Sequence, residues 1–101
     1  MASRIELQTR LEEILASRNV YYQPPESIKL KYPCIVYELS DIDTLKANNN
    51  AYLENRSYQL MLIDRDPDSD FVEPILHMPT CRFDRSYAAN GLNHFVFTIY
   101  Y

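Results

Sequence analysis

Gly91 is the only glycine in this chain of 101 residues, and its position constrains the fold more than any other single residue. It follows Asn90 between two β-prone segments, and an Asn-Gly pair is the strongest short signal for a two-residue hairpin turn. Glycine-rich loops that bind nucleotide phosphates need several glycines, and the nucleophile elbow Gly-x-Ser-x-Gly needs two. The sequence therefore predicts a hairpin here and excludes both of those sites.

Two helices are predicted from hydrophobic periodicity and end signals. Apolar residues recur at helical spacing over residues 4–18 and predict a first helix. Ser3 and Glu6 form the capping box that begins it, and Asn19 is the expected C-cap. A second, short helix is predicted between an acidic turn and Pro79.

Strands are predicted where β-prone residues alternate or run together. These segments are residues 20–22, 34–39, 56–65, 81–87 and 92–101. Alternation in the fourth segment places Phe83, Arg85 and Tyr87 on one face. The element order predicts one α+β domain over residues 1–101, with a mainly antiparallel sheet and both helices packed on one side.

The negative charge is concentrated in one segment. The chain has 10 basic and 14 acidic residues, a net charge of −4. Residues 64–73 hold five acidic residues and one arginine, and so carry a charge equal to that of the whole chain. Nucleic-acid binding depends on basic side chains that neutralise phosphates, so this composition disfavours it. We expect no secretory signal, because residues 1–10 carry no apolar run. We expect no membrane span, because no apolar stretch approaches about 18 residues.

Alternating aspartates over residues 64–70 leave three interpretations open. An EF-hand calcium loop would need glycine and glutamate at positions where this chain has Ser69 and Ile75. A solvated loop with an acidic helix start is the usual meaning of such a run. The other two interpretations are a metal site, which is the least favoured, and a surface that docks a basic partner. That acidic docking surface would consist of Asp66, Asp68 and Asp70.

Cys34 and Cys81 lie on predicted strands, far apart in sequence. They form no CxxC pair, and we expect two reduced thiols packed as small hydrophobic residues. A disulfide between neighbouring strands stays open as an alternative. Cysteine catalysis needs an adjacent base, and only His77 and His94 are available. A Ser-His-Asp triad has no fixed order in sequence and stays open too, but we expect no catalytic residue, metal or cofactor.

Aromatic and polar residues favour a role in protein interfaces. Nine tyrosines exceed what a small core needs, and tyrosine suits interfaces because it combines an apolar ring with a polar hydroxyl. The polar residues 41–55 predict a long hairpin with asparagines at its tip. We expect this hairpin to contact an oligomer partner or a tube, and its alternative is a disordered loop tip. Its candidate contact residues are Leu45, Lys46, Asn48, Asn49, Asn50 and Tyr52.

Five segments in the region from residue 20 to residue 101 carry a resemblance to a known family. They are Tyr32–Tyr37, Arg56–Leu60, Ile63–Ser69, Cys81–Tyr87 and Gly91–Tyr101. These segments resemble the small tail-completion proteins of long-tailed bacteriophages and related prophages. Members of that family are described as tail terminators or head–tail joining proteins.

The resemblance implies an α+β fold and a non-enzymatic role in the virion. Such proteins form a homo-oligomeric ring, typically a hexamer, that stops growth of the tail tube. The implied partners are the major tail-tube protein and the head–tail connector protein, with no cofactor, no direct nucleic-acid specificity and no membrane. The implied location is the phage tail or neck, and the host cytoplasm during assembly. A head-side completion protein of the same neck is the alternative, and a small metal-binding domain using Asp64–Asp70 is a third.

Overall fold

A computed structural model describes residues 4–47 and 51–101, with the backbone alone described at 43–47 and 51–55. The described elements are α1 (Arg4–Leu15), β1 (Val20–Tyr22), β2 (Cys34–Ala47), β3 (Ala51–Asp64), α2 (Val72–Leu76), β4 (Cys81–Ala89) and β5 (Leu92–Tyr100). The strands form one sheet in the order β1-β2-β3-β5-β4. Among the described strands, only β1 and β2 pair in parallel. The predicted α+β class and mainly antiparallel sheet are confirmed.

The core lies between one face of the sheet and the two helices. Helix α1 contributes Leu7, Leu11 and Leu15, which are buried at helical spacing, and α2 contributes Ile75. Alternate residues of the central strands complete this cluster, because side chains in a strand point to opposite faces in turn. The buried sheet residues of the cluster are Val20, Ile35, Tyr37, Tyr58, Leu60, Leu62, Phe97 and Ile99. Both helices therefore pack on the same side of the sheet, as predicted.

A polar network around Tyr37, near the start of β2, links α1 to the sheet. The buried Tyr37 hydroxyl donates to Oε1 of Gln8 at 2.5 Å and accepts from Nη1 of Arg4 at 3.1 Å. Gln8 also donates through Nε2 to the carbonyl of Val20 at 3.0 Å. The Arg4 guanidinium lies 4.3 Å from the centre of the Tyr22 ring. Burial raises the pKa of Tyr37, and the nearby Arg4 opposes that rise.

Helix α1 ends at Leu15, three residues before the predicted end at residue 18. Ala16 takes a left-handed conformation, with φ of 53°. Its N–H donates to the carbonyl of Glu13, and the N–H of Ser17 donates to the carbonyl of Glu12. These two bonds form a Schellman motif, which usually has glycine at the position of Ala16. The predicted C-cap at Asn19 is therefore wrong. The expected capping residue Ser3 lies outside the described residues.

The turn between β4 and β5 is the one that the sequence predicted. Asn90 and Gly91 have φ values of 55° and 74°. Two consecutive positive φ values are required by a type I′ turn, whose twist matches that of the strands it joins. The hairpin at the only glycine is confirmed.

Replacing Ala16 with glycine should stabilise the protein. A left-handed φ places the Cβ of alanine close to the next carbonyl oxygen, and glycine removes that conflict. We expect the free energy of unfolding to rise by about 0.5 to 1 kcal/mol in Ala16→Gly, measured by urea denaturation. Arg18→Gly is the matched control, since Arg18 does not have a positive φ, and it should be destabilised. A lower stability for Ala16→Gly would contradict this account of the helix end.

Candidate interaction surfaces

The outer halves of β2 and β3 form a two-stranded ribbon, here called the hairpin arm (residues 41–47 and 51–55). In its register Asp43 lies opposite Asn55 and Ala47 opposite Ala51, while Asp41 and Ile42 pair with Ser57 and Arg56 at its base. β5 pairs with β3 only over Ser57–Asp64, and β1 reaches β2 only as far as Tyr37. Within the described ranges, no third strand therefore pairs with the hairpin arm. Seven strand residues span about 23 Å, which accounts for much of the 52 Å length of the molecule.

The candidate contact residues of the predicted hairpin fall in and around this arm. Leu45 and Lys46 lie on β2, and Tyr52 on β3 is the register partner of Lys46. The three asparagines 48–50 lie outside the described residues. The predicted hairpin is confirmed and its strands are longer than expected, since the sequence predicted only 34–39 and 56–65. Its contact role stays a prediction.

The acidic segment is organised by hydrogen bonds to its own backbone. Oδ1 of Asp64 accepts from the N–H of Asp66 at 3.2 Å, and Oδ1 of Asp66 accepts from the N–H of Asp68 at 2.9 Å. The hydroxyl of the buried Ser69 accepts from the N–H of Phe71 at 3.3 Å. These are the local turns that aspartate and serine side chains stabilise. This pattern supports the interpretation as a structural loop.

The acidic residues expected at the start of the second helix do not cap it, because Phe71 occupies the N-cap position without a side-chain cap. Asp66, Asp68 and Asp70 are exposed, and their role as a docking surface stays a prediction. Across residues 4–47 and 51–101, no group of three or more His, Cys, Asp or Glu side chains is placed to hold a metal ion. The arrangement therefore gives no support to the metal interpretation.

Divalent cations should leave the stability of the protein unchanged. A ligand that binds only the native state raises the melting temperature, so a real site would be visible in a thermal melt. We expect shifts below about 1 °C with millimolar calcium, magnesium or manganese, measured by scanning calorimetry against an EDTA-treated sample. A concentration-dependent rise that Asp66→Asn abolishes would contradict this expectation.

The second face of the sheet, turned away from the helices, carries two rows of side chains. In one row, Met61 of β3 pairs with Val96 of β5, which pairs with Arg85 of β4. In the neighbouring row His94 stacks on Tyr87, with ring centres 4.7 Å apart and planes 5° apart. The Tyr87 hydroxyl lies 3.9 Å from the sulfur of Met61. This face therefore carries the stacked rings of His94 and Tyr87 beside Met61 and the buried Val96.

Cys34 and Cys81 are both free thiols. Cys34 pairs with Ile63 on β3 and Cys81 pairs with Ile99 on β5, so strands β3 and β5 separate the two cysteines and no disulfide links them. Burial raises the pKa of Cys34 to about 12 and that of Cys81 to about 11. Both are therefore thiols rather than thiolates at neutral pH, and the thiolate is the nucleophile.

Neither histidine is placed to act as a base for Cys34. Ile63 lies between Cys34 and His94 in the register, which separates them by two strand spacings of about 4.8 Å each. His77 lies at the end of α2, where its Nε2 is 3.3 Å from a carboxylate oxygen of Glu73. The Cys–His pairing considered from the sequence is not formed by Cys34.

The stability of the protein should fall as pH rises above about 9. Each thiol has a higher pKa in the folded chain than the ordinary value of 9.0, so the unfolded chain releases its proton first. The loss should approach about 1.4 kcal/mol per pH unit for each thiol. It should extend to about pH 12 for Cys34 and about pH 11 for Cys81. Urea denaturation at each pH should show that the free energy of unfolding falls less steeply with pH in Cys34→Ala than in wild type. Cys81→Ala should differ from wild type in the same way, but only up to about pH 11. Parallel curves for wild type and Cys34→Ala would contradict the burial effect.

The edge strand β4 is the surface that the sequence did not reveal. All its residues after Cys81 are exposed, including Phe83 at 44% and Tyr87 at 42%. A register shift lies between Phe83 and Arg85, so Asp84 is an extra residue in the pairing with β5. The predicted alternation is therefore wrong after Phe83, and Arg85 and Tyr87 lie on the second face. A β-bulge has no signal in the alternation itself, which continues unbroken through the sequence.

The sequence matches no protein-family model and no curated protein sequence. No helix in the described part of the chain has the length and apolar character needed to cross a membrane.

Proposed function

We propose that this protein is a non-enzymatic assembly subunit of a long-tailed phage, a tail terminator or head–tail joining protein. In this proposal it forms a homo-oligomeric ring at the head-proximal end of the tail, with six members as in the family it resembles. The ring caps the tube of major tail protein and presents its other side to the head–tail connector. Its location is the virion neck, reached from the host cytoplasm during assembly.

The observation that carries the proposal is the hairpin arm. Its strands pair only with each other in the described ranges, whereas a two-stranded ribbon alone is marginally stable in water. A partner that packs against the ribbon would pair or bury its exposed edges and so stabilise it. A neighbouring subunit of a ring or the end of the tail tube would supply that cover. The five segments that resemble tail-completion proteins support the same assignment.

A head-side completion protein is the second candidate. It would use the same arm against the portal or connector instead of the tail tube. The arm favours a contact in an assembly but does not discriminate between these two joints. The lysate of a phage that lacks the gene distinguishes the two candidates, because loss of a tail-side protein and loss of a head-side protein leave different incomplete particles.

The proposal is tested by negative-stain microscopy of lysates from the encoding phage without the gene. We expect DNA-filled heads without tails beside tail tubes of uncontrolled length. Wild-type protein supplied in trans should restore normal particles. Tubes of normal length beside emptied heads would overturn the terminator assignment in favour of the head-side candidate, and normal particles without the gene would overturn both.

An arm-shortened variant tests the arm itself. An Asn-Gly turn replaces residues 43–55 and joins Ile42 to Arg56, which lie opposite each other in the register. We expect the purified variant to keep the circular dichroism of the sheet but to fail in trans. The matched control Glu13→Gln, on the exposed side of α1, should restore particles like wild type. Restoration by the arm-shortened variant would show that the arm is not the contact.

A further inference from the structure

The free edge of β4 has an unusual pattern of faces because of its bulge. Phe83 lies on the helix side, with its ring 5.6 Å from that of Phe97. Asp84 lies on the second face, where Nε of Arg82 is 3.3 Å from its carboxylate and the hydroxyl of Thr98 donates to it at 2.5 Å. Arg85 follows on the same face, opposite Val96. Two successive residues, Asp84 and Arg85, therefore point to one side of the sheet.

This pattern restricts which strand can extend the sheet from β4. In an antiparallel pair, residues directly opposite each other point to the same face. For two copies of β4 related by a twofold axis, one register satisfies this condition along the whole strand in spite of the bulge. It places Cys81 opposite Ala88, Arg82 opposite Tyr87, Phe83 opposite Ser86, and Asp84 opposite Arg85. The last pair joins opposite charges, and the twofold axis produces it twice.

We propose that the partner of this edge is a second copy of the chain, paired β4 to β4 in that register. The sheet then continues across the axis as ten strands, and two Asp84–Arg85 ion pairs lie beside the axis on the second face. The exposed parts of Phe83 and Tyr87 come to lie beside the new strand. Arg82 lies opposite the Tyr87 ring of the other copy, an arrangement that favours a cation–π contact.

The charges of β4 also oppose the neighbouring registers. A shift by one step in one direction places Asp84 opposite Asp84, and a step in the other direction places Arg85 opposite Arg85. A shift by two steps towards the start of the strand places Arg82 opposite Arg85. Like charges directly opposite each other destabilise a strand pair. Charged residues on an edge strand also oppose pairing with unrelated strands. The charges of β4 therefore disfavour the neighbouring registers and allow the one with Asp84 opposite Arg85.

Arg85 is available for the contact. It is exposed, and in the described ranges it takes part in no hydrogen bond or ion pair of the chain. The Asp84 carboxylate already accepts from Arg82 and Thr98, but a carboxylate offers about four acceptor positions. The proposed dimer does not rest on the proposed phage function, because an isologous pair closes on itself and a ring needs a different, heterologous contact.

The test measures association by analytical ultracentrifugation of wild type and two charge variants. Arg85→Asp places aspartate opposite aspartate at both sites, and Asp84→Arg places arginine opposite arginine at both. We expect each variant to raise the dimer dissociation constant about tenfold or more. An equimolar mixture should dimerise again, since all four central charges are then complementary between unlike chains. Arg10→Asp on α1 makes the same charge change as the first variant away from the edge and should associate like wild type.

The mixture of the two charge variants distinguishes a second copy of β4 from other partners of this edge. Recovery of association only in the mixture supports the β4–β4 register, whether wild type is a dimer or part of a larger ring. Wild type that stays monomeric at high micromolar concentration overturns the proposal. Association that survives in both variants also overturns it. Association that is lost in both variants and not recovered on mixing overturns it too, because a contact between β4 and a different surface would give that result. Circular dichroism and melting temperature of each variant confirm that the compared chains are folded.

Discussion

The packing of α1 onto one face of the sheet is the interaction on which the rest of the structure depends. The sheet is a single layer, and the apolar stripe of α1 covers its core face together with α2. Tyr37 of β2 satisfies polar groups of Arg4 and Gln8, in the first half of α1. Since buried polar groups are costly unless they are bonded, this network favours the observed orientation of the helix. The same buried face also fixes the register between β2 and β3, because a slip of one residue would turn their core side chains outward.

The helices cover one face of the sheet. A partner can therefore bind at the edges of the sheet, on the second face or on the hairpin arm. Burial keeps Cys34 in its neutral thiol form, and the acidic loop uses side chains of Asp64 and Asp66 to hold its own backbone. These polar groups therefore maintain the structure. The hairpin arm and the β4 edge are different, since both present backbone that the described part of the chain does not pair.

Most of the fold could be predicted from local patterns. The spacing of Leu7, Leu11 and Leu15 identified α1, and Asn90-Gly91 identified the hairpin that closes the sheet. The end of α1 could not be predicted, because Ala16 adopts a left-handed conformation that alanine rarely takes and that usually falls to glycine. The length of the arm and the bulge at Asp84 were missed for a related reason. Both depend on pairing between strands, and neither changes the hydrophobic alternation of its own strand.

The separation of the arm from the core has a consequence for how such a chain can vary. The core face ends near Tyr58 and Leu39, and a register shift between Leu39 and Asp41 lies where the arm begins. Inserting two residues into each strand of the arm would preserve the alternation of faces and lengthen it by about 7 Å. No core contact would change. The reach of the arm is therefore set independently of the core, so that chains with the same core could carry arms of different length.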